Sequence, residues 1–292
     1  MAYKLKKPVR RAFLDFSTLA ARRSNCHEEL RLNRRLAQTV YLDVVPLVLT
    51  DSSRLRVGGE GTVVDWLVKM RRLAHQQMLD SAIRAKRADP VTVTPAARLI
   101  AQFYAKAEPV LLSTERYKRR LRDEVEINRT VLGETSKLPL GLVNRVCNDQ
   151  RQFIVARWDM LRERVDGQKI VEGHGDLRPE HIFLGTPPAA IDCLEFDRQL
   201  RLLDPADELA FLAIECERMG DQRVGDHFLS VYRGLVGDMT PGVLVDFYKS
   251  CRACLRARIA VWHVHEPGYR GASYWWSTAE EYLRLADTYA PR

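Results

Sequence analysis

Residues 171–196 read VEGHGDLRPEHIFLGTPPAAIDCLEF. His174, Asp176, Arg178, His181, Asp192 and Glu195 crowd into this span, with Ile182, Phe183, Leu184, Ala190 and Ile191 between them. The pattern predicts strand, loop, strand, tight turn and strand. The polar groups fall in the loop and at the end of the last strand. A small rigid hairpin that carries polar side chains on its loops is a common way to present chemistry to solvent. Gly175 lets the backbone approach closely just before Asp176.

Working outward, residues 2–5 alternate like a short strand and are broken by Lys6-Lys7-Pro8. Ser17 or Thr18 is a suitable cap for a helix over 19–38. Strands are expected at 44–49 and 62–68, joined as a hairpin by the turn at 58–61. Beyond Lys69 helical periods dominate: 76–86, 96–107, 113–134 and 138–164, then 205–218, 221–235, 241–263 and 275–289. Pro95 suits the first turn of its helix. No internal repeat and no low-complexity tract interrupts this order. The reading is a small α+β lobe at residues 1–70, followed by a larger, mainly helical lobe at 71–292 that contains the central hairpin.

The bulk numbers bound the possibilities. The 292 residues are 46% hydrophobic and 29% charged, an ordinary globular balance. No run reaches the roughly 18 uncharged apolar residues of a membrane span, and the basic N-terminus has no apolar signal core. A cytoplasmic location, with no membrane partner, is the expectation. The net charge of +8 suits an anionic small molecule such as a nucleotide. The arginines are scattered over helical stretches without interleaved aromatics, which argues against nucleic acid. Among the six cysteines only Cys251 and Cys254 have metal-like spacing, and they fall in a helical pattern that predicts buried thiols.

Asp176 and Asp192 with a cation between them suit phosphoryl transfer. That reaction needs a group to orient a hydroxyl, divalent ions to bridge phosphates, and positive charge for the developing oxygens. Mg²⁺ takes one or two carboxylates plus phosphate oxygens and water. Asp192, helped by Glu195 or Asp176, supplies such a donor set.

These residues resemble a known family. His174-Gly175-Asp176-Leu177-Arg178-Pro179-Glu180-His181 is similar to the catalytic loop of the aminoglycoside phosphotransferase-like kinases and to the H-R-D-L-x-x-x-N loop of protein kinases. Ile191-Asp192 resembles the metal-binding Asp that follows it. Asp204-Pro205-Ala206-Asp207-Glu208-Leu209-Ala210 resembles the family's D-P-x-x-D-L-A stretch. The resemblance implies a two-lobed protein-kinase-like α+β fold that uses ATP and Mg²⁺ to phosphorylate a small molecule's hydroxyl. It implies that Asp176 is the base or orienting group and that Arg178 stands where many kinases place a γ-phosphate Lys. Asp192 would hold the metal, with His181 and Glu195 as neighbouring candidate ligands. Lys4 would be the strand Lys of the nucleotide site, paired with Glu29, with Glu28 as the alternative. Strand 63–69, ending at Lys69, would lie against the adenine. Asp207 would tie its helix to the catalytic loop. The acceptor would sit on the helical lobe near Glu208, Glu215 and the 262–276 segment.

Two departures shape the expectation. His181 stands where the family has a metal-ligating Asn, and imidazole is the poorer ligand for a hard cation. The sequence opens at the Lys strand, so the small lobe is expected to be truncated, without the glycine-rich hairpin that precedes that strand in the family. A non-catalytic kinase-like binding protein is therefore the rival reading. An iron triad built on His174 and Asp176 with His263 or His265 conflicts with the helix content, since such oxygenases are dominated by β-barrels.

Overall fold

The structure is a computed structural model that describes residues 1–11, 14–265 and 271–291. Tyr269, which neighbours Tyr274, Trp275 and Trp276 in the sequence, lies outside them. In chain order come β1 (Ala2–Leu5), β2 (Arg10–Arg11), β3 (Leu14–Asp15), α1 (Leu19–Ala37), β4 (Tyr41–Leu49), β5 (Leu55–Val57) and β6 (Thr62–Met70). Then follow α2 (Leu79–Arg84), α3 (Pro90–Ala105), α4 (Thr114–Gly133), α5 (Leu140–Ala156) and α6 (Trp158–Asp166). The central segment carries β7 (Val171–Glu172), β8 (Ile182–Phe183), β9 (Ala189–Ala190) and β10 (Leu202–Leu203). Four helices close the chain: α7 (Pro205–Arg218), α8 (Gln222–Val236), α9 (Gly242–His265) and α10 (Ala272–Thr288). The result is the two-lobed kinase-like α+β fold.

The chain forms two compact units. The first comprises residues 1–107 and 172–203, and the second residues 108–171 and 204–292. The first unit is built on an antiparallel sheet of order β1-β6-β4-β5. Lys4 pairs with Val68 and Tyr3 with Lys69. α1 starts where Thr18 accepts from the Ala21 N–H at 3.1 Å. Its buried stripe includes Cys26, Glu29, Leu30, Asn33 and Ala37. The apolar members of that stripe pack with Val40, Tyr41, Val44, Val68 and Ala189, so the helix is fixed to both the sheet and the central segment.

Several expectations are corrected. The turn at 58–61 does not join β4 to β6. The chain first makes β5, which pairs with the other edge of β4, Leu47 opposite Val57. A strand of three residues is too short to show a periodic signal. Pro95 lies inside α3, because Asp89 caps the helix and Pro90 occupies its first turn. The helix expected at 138–164 is two helices, parted at Arg157 with φ −119° and ψ 31°. Asp192 is not at a strand end: β9 stops at Ala190, and Asp192 has φ 61°.

In the second unit the ordering device is a buried arginine. Arg164 of α6 takes Asp204 through Nε at 2.6 Å and Nη2 at 2.8 Å. It takes Asp238 at 2.7 and 2.6 Å. Tyr248 and Tyr232 add hydroxyl donors to the same two carboxylates. Asp204 also caps α7 by accepting from the Ala206 N–H at 2.9 Å.

Candidate active site

The loop at 173–178 is held by two groups. Gly175 has φ +88°, and a Cβ there would stand 3.0 Å from Leu194 Cδ1. His174 is fully buried. Its Nε2 donates to the Ile191 carbonyl at 2.8 Å, which leaves Nδ1 to accept from the Asp176 N–H at 3.3 Å. Burial first, and then the neighbouring His181, push its pKa down to about 4, so it is a neutral strut at pH 7. It thereby joins the loop of Asp176 to the strand end that leads to Asp192.

α1 and β1 supply the rest. Glu29 is completely buried and lies between two lysines: Oε1 is 2.9 Å from Lys4 Nζ and Oε2 is 2.5 Å from Lys6 Nζ. Lys4 also donates to Asp192 Oδ1 at 2.7 Å, and Lys6 to Glu195 Oε1 at 2.6 Å. Burial alone would lower the Lys4 pKa, but the charges of Glu29, Asp192 and Glu195 raise it well above the usual lysine range. Burial alone would raise that of Asp192. The ammonium of Lys4, by charge and by hydrogen bond, outweighs it, and Asp192 stays ionised.

His181 stands between the two aspartates. Its Nδ1 donates to the Asp176 carbonyl at 2.8 Å and lies 3.6 Å from Asp176 Oδ2. Its Nε2 is 3.7 Å from Asp192 Oδ2. Arg178 is engaged by carboxylates: Nε lies 3.0 Å from Asp176 Oδ1, and Nη1 2.5 Å from Glu180 Oε1. Three cations, Lys4, Lys6 and Arg178, thus face five carboxylates, those of Glu29, Asp176, Glu180, Asp192 and Glu195. Such an excess of negative charge is the electrostatic setting for a divalent cation.

Of the residues singled out in the sequence, Lys4, Glu29, Asp192, Glu195, His181, Asp176 and Arg178 form one connected set. Lys69 stands apart from it. It pairs with Tyr3, and since neighbours on a strand face opposite sides, it points away from the face of Lys4 and Val68. Glu28 turns instead to Arg31 at 2.7 Å and to Arg201 at 3.3 Å. Asp207 is bound by Arg252 of α9 at 2.6 Å. Glu215 is 1% exposed and accepts from Tyr282 and Arg256. Its carboxylate is therefore committed within the second unit.

Sequence reasoning overlooked four residues of this site. Lys6 ends the strand as expected, just past β1, but its ammonium also reaches Glu29, the partner of Lys4. Asn33 accepts from the Cys193 N–H at 2.9 Å. Arg35 donates to the carbonyls of Glu172 and Gly173, both at 2.8 Å. Tyr41 accepts from the Asp192 N–H through its hydroxyl at 3.1 Å. The available signal was Glu29 and Asn33 lying i, i+4 among the apolar residues of the helix stripe.

The fold resembles that of solved protein-kinase-like small-molecule kinases. Among solved structures, the chain superposes on a Plasmodium vivax ethanolamine kinase with TM-score 0.52 and 11% identity, over 97% of this chain and 74% of the other. It superposes on a candidate aminoglycoside phosphotransferase from Ralstonia eutropha with TM-score 0.50 and 12% identity, over 92% and 82%. At such identities the likeness is one of fold. No family model matches the chain. Uncharacterised proteins of Mycobacterium tuberculosis and Mycobacterium bovis are 34% identical over 269 residues, 88% of this chain. The chain spans about half the length of these curated relatives, 51%. Among the described residues no helix is long and apolar enough to cross a membrane.

Proposed function

We propose that the chain is an ATP- and Mg²⁺-dependent phosphotransferase that moves the γ-phosphate to a hydroxyl of a small molecule, in the cytoplasm. The small lobe at 1–70 binds nucleotide, and the helical lobe at 71–292 binds the acceptor. One observation carries the reading. Lys4, Glu29 and Asp192, far apart in sequence, meet through ion pairs of 2.9 and 2.7 Å, and His181 links Asp192 to Asp176.

The donor set fits a divalent cation bound with phosphate. Among the described residues no cluster of three or more His, Cys, Asp or Glu is suited to a metal ion. The protein ligands are therefore few: Asp192, with His181 and Glu195 beside it. A nucleotide-bound Mg²⁺ needs no more, because phosphate oxygens and water complete its shell. When bound, the ion neutralises charge on the transferred phosphoryl group. Lys4 lends its ammonium to the phosphates, while Glu29, itself anchored by Lys6, holds it in place. Asp176 accepts a hydrogen bond from the acceptor hydroxyl and aligns it for attack. Arg178, already beside Asp176, places positive charge where the phosphoryl oxygens develop theirs.

The specific observation that favours the rival, a non-catalytic binding protein, is the Arg178–Asp176 ion pair at 3.0 Å, which occupies the would-be base. Thermal melting with ATP, with and without Mg²⁺, separates the two together with an ATP hydrolysis assay. At a ligand concentration of 100 Kd the stabilisation is about 2.7 kcal/mol. The catalytic reading expects a Mg²⁺-dependent shift and slow hydrolysis, both lost in Asp192→Ala. A shift without hydrolysis supports the rival, and no Mg²⁺-dependent shift in the wild type refutes the proposal.

A further inference from the structure

The cation position beside Asp192 has a chemistry of its own. Asp192 Oδ1 is taken by Lys4, and Oδ2 faces the His181 Nε2 across 3.7 Å. The other ring nitrogen of His181 is committed as a donor to the Asp176 carbonyl at 2.8 Å. A carbonyl can only accept, so Nδ1 carries the proton, and in that tautomer Nε2 is the acceptor, facing both Arg178 Nη2 and Asp192. An N–H anchored on a backbone carbonyl, with the opposite nitrogen left as an acceptor, is the usual arrangement of a metal-ligating histidine.

Two ligand atoms each about 2.1 Å from one octahedral ion stand about 3.0 Å apart in cis positions. The observed gap of 3.7 Å closes to that value with side-chain movements of well under an ångström. Arg178 Nη2 also lies 3.4 Å from Nε2, at the long end of hydrogen bonding. Its guanidinium keeps Asp176 and Glu180 whether or not it keeps that contact.

We infer that His181 Nε2 and Asp192 Oδ2 together form a cation site that selects a first-row transition ion, with Mn²⁺ as the probe, over Mg²⁺. The inference rests on the proposed role of Asp192 as the cation ligand. An imidazole adds little for Mg²⁺, which is held by oxygen, and adds a strong bond for transition ions.

The test is pulsed EPR of Mn²⁺ bound to the chain labelled with ¹⁵N-histidine, in the presence of adenylyl imidodiphosphate, with Mg²⁺ as competitor. The expected spectrum shows ¹⁵N coupling. His174 cannot supply it, because both its ring nitrogens are engaged. In His181→Asn, which restores an amide oxygen, the coupling should vanish. The excess of Mg²⁺ needed to displace Mn²⁺ should fall at least about tenfold. The wild-type spectrum is informative even where the variant folds poorly.

Bound Mn²⁺ without ¹⁵N coupling, or a competition ratio that His181→Asn leaves unchanged, overturns the inference. If nucleotide and Mg²⁺ still bind in an Asp192-dependent way, the phosphotransferase reading survives that failure. Coupled Mn²⁺ in a chain that binds no nucleotide supports the metal site and sinks the phosphotransferase. Binding of neither overturns both.

Discussion

Replacing Glu29 with Gln tests the centre of the first unit. Its carboxylate is wholly buried and takes both Lys4 and Lys6, and the Lys6 side chain is 3% exposed. Glutamine keeps the shape but offers one acceptor and turns an NH₂ group toward an ammonium. One charge-assisted hydrogen bond is lost, worth about 1.5–3 kcal/mol. Lys6 is left dehydrated against Glu195 alone. Breaking a buried pair from one side costs about 3–5 kcal/mol, and the substitution should fall in that range. Hydrogen exchange read by mass spectrometry localises the effect. Amides of β1 and α1 should lose protection by between about a hundred- and a few thousand-fold, while those of α7 and α9 keep theirs. Glu28→Gln is the control. Glu28 is partly exposed, with Arg31 and Arg201 as partners, so its loss should cost less than about 1 kcal/mol. A Glu29→Gln protein as protected in α1 as the Glu28→Gln control would refute the assignment of Glu29 as the charged hinge of the site.

Other outcomes follow from the same geometry. The folded pKa of His174, about 4, is depressed below its ordinary 6.5, so its stabilising effect is complete above pH 6.5. It fades as pH falls toward 4, by on the order of 3 kcal/mol; urea titrations across that window should show a slope that His174→Gln removes. Gly175→Ala forces a side chain onto φ +88° beside Leu194. It should cost about 1–3 kcal/mol and weaken Mg-nucleotide stabilisation, read as a smaller melting shift. Arg164→Met leaves Asp204 and Asp238 without their common cation. It should cost at least about 3 kcal/mol, with exchange rising in α6 and α7 while β1 and α1 are unaffected.

The sequence and the tertiary structure contributed different things. The strand at 2–5, the start of α1 at Thr18 and the helix α7 were legible, because alternation, capping and proline position are local properties of the chain. The order of the motifs around Asp176, Asp192 and Asp204 was enough to indicate the fold. Spacing along the chain says nothing, however, about which lysine meets which carboxylate. Lys6 read as a breaker and is half of the Glu29 clamp, while Lys69 read as part of the nucleotide site and lies on the opposite strand face. β5 escaped notice because three residues are too few to show an alternation. His181 could be read as a substitution, but its tautomer is set by a carbonyl five residues back that only the folded loop brings to Nδ1. Pattern along the chain determines where helices and strands form. Ion-pair partners, the direction of a lone pair and the side of a sheet are fixed only when distant segments are buried against one another, since burial makes each unpaired charge too costly to leave alone.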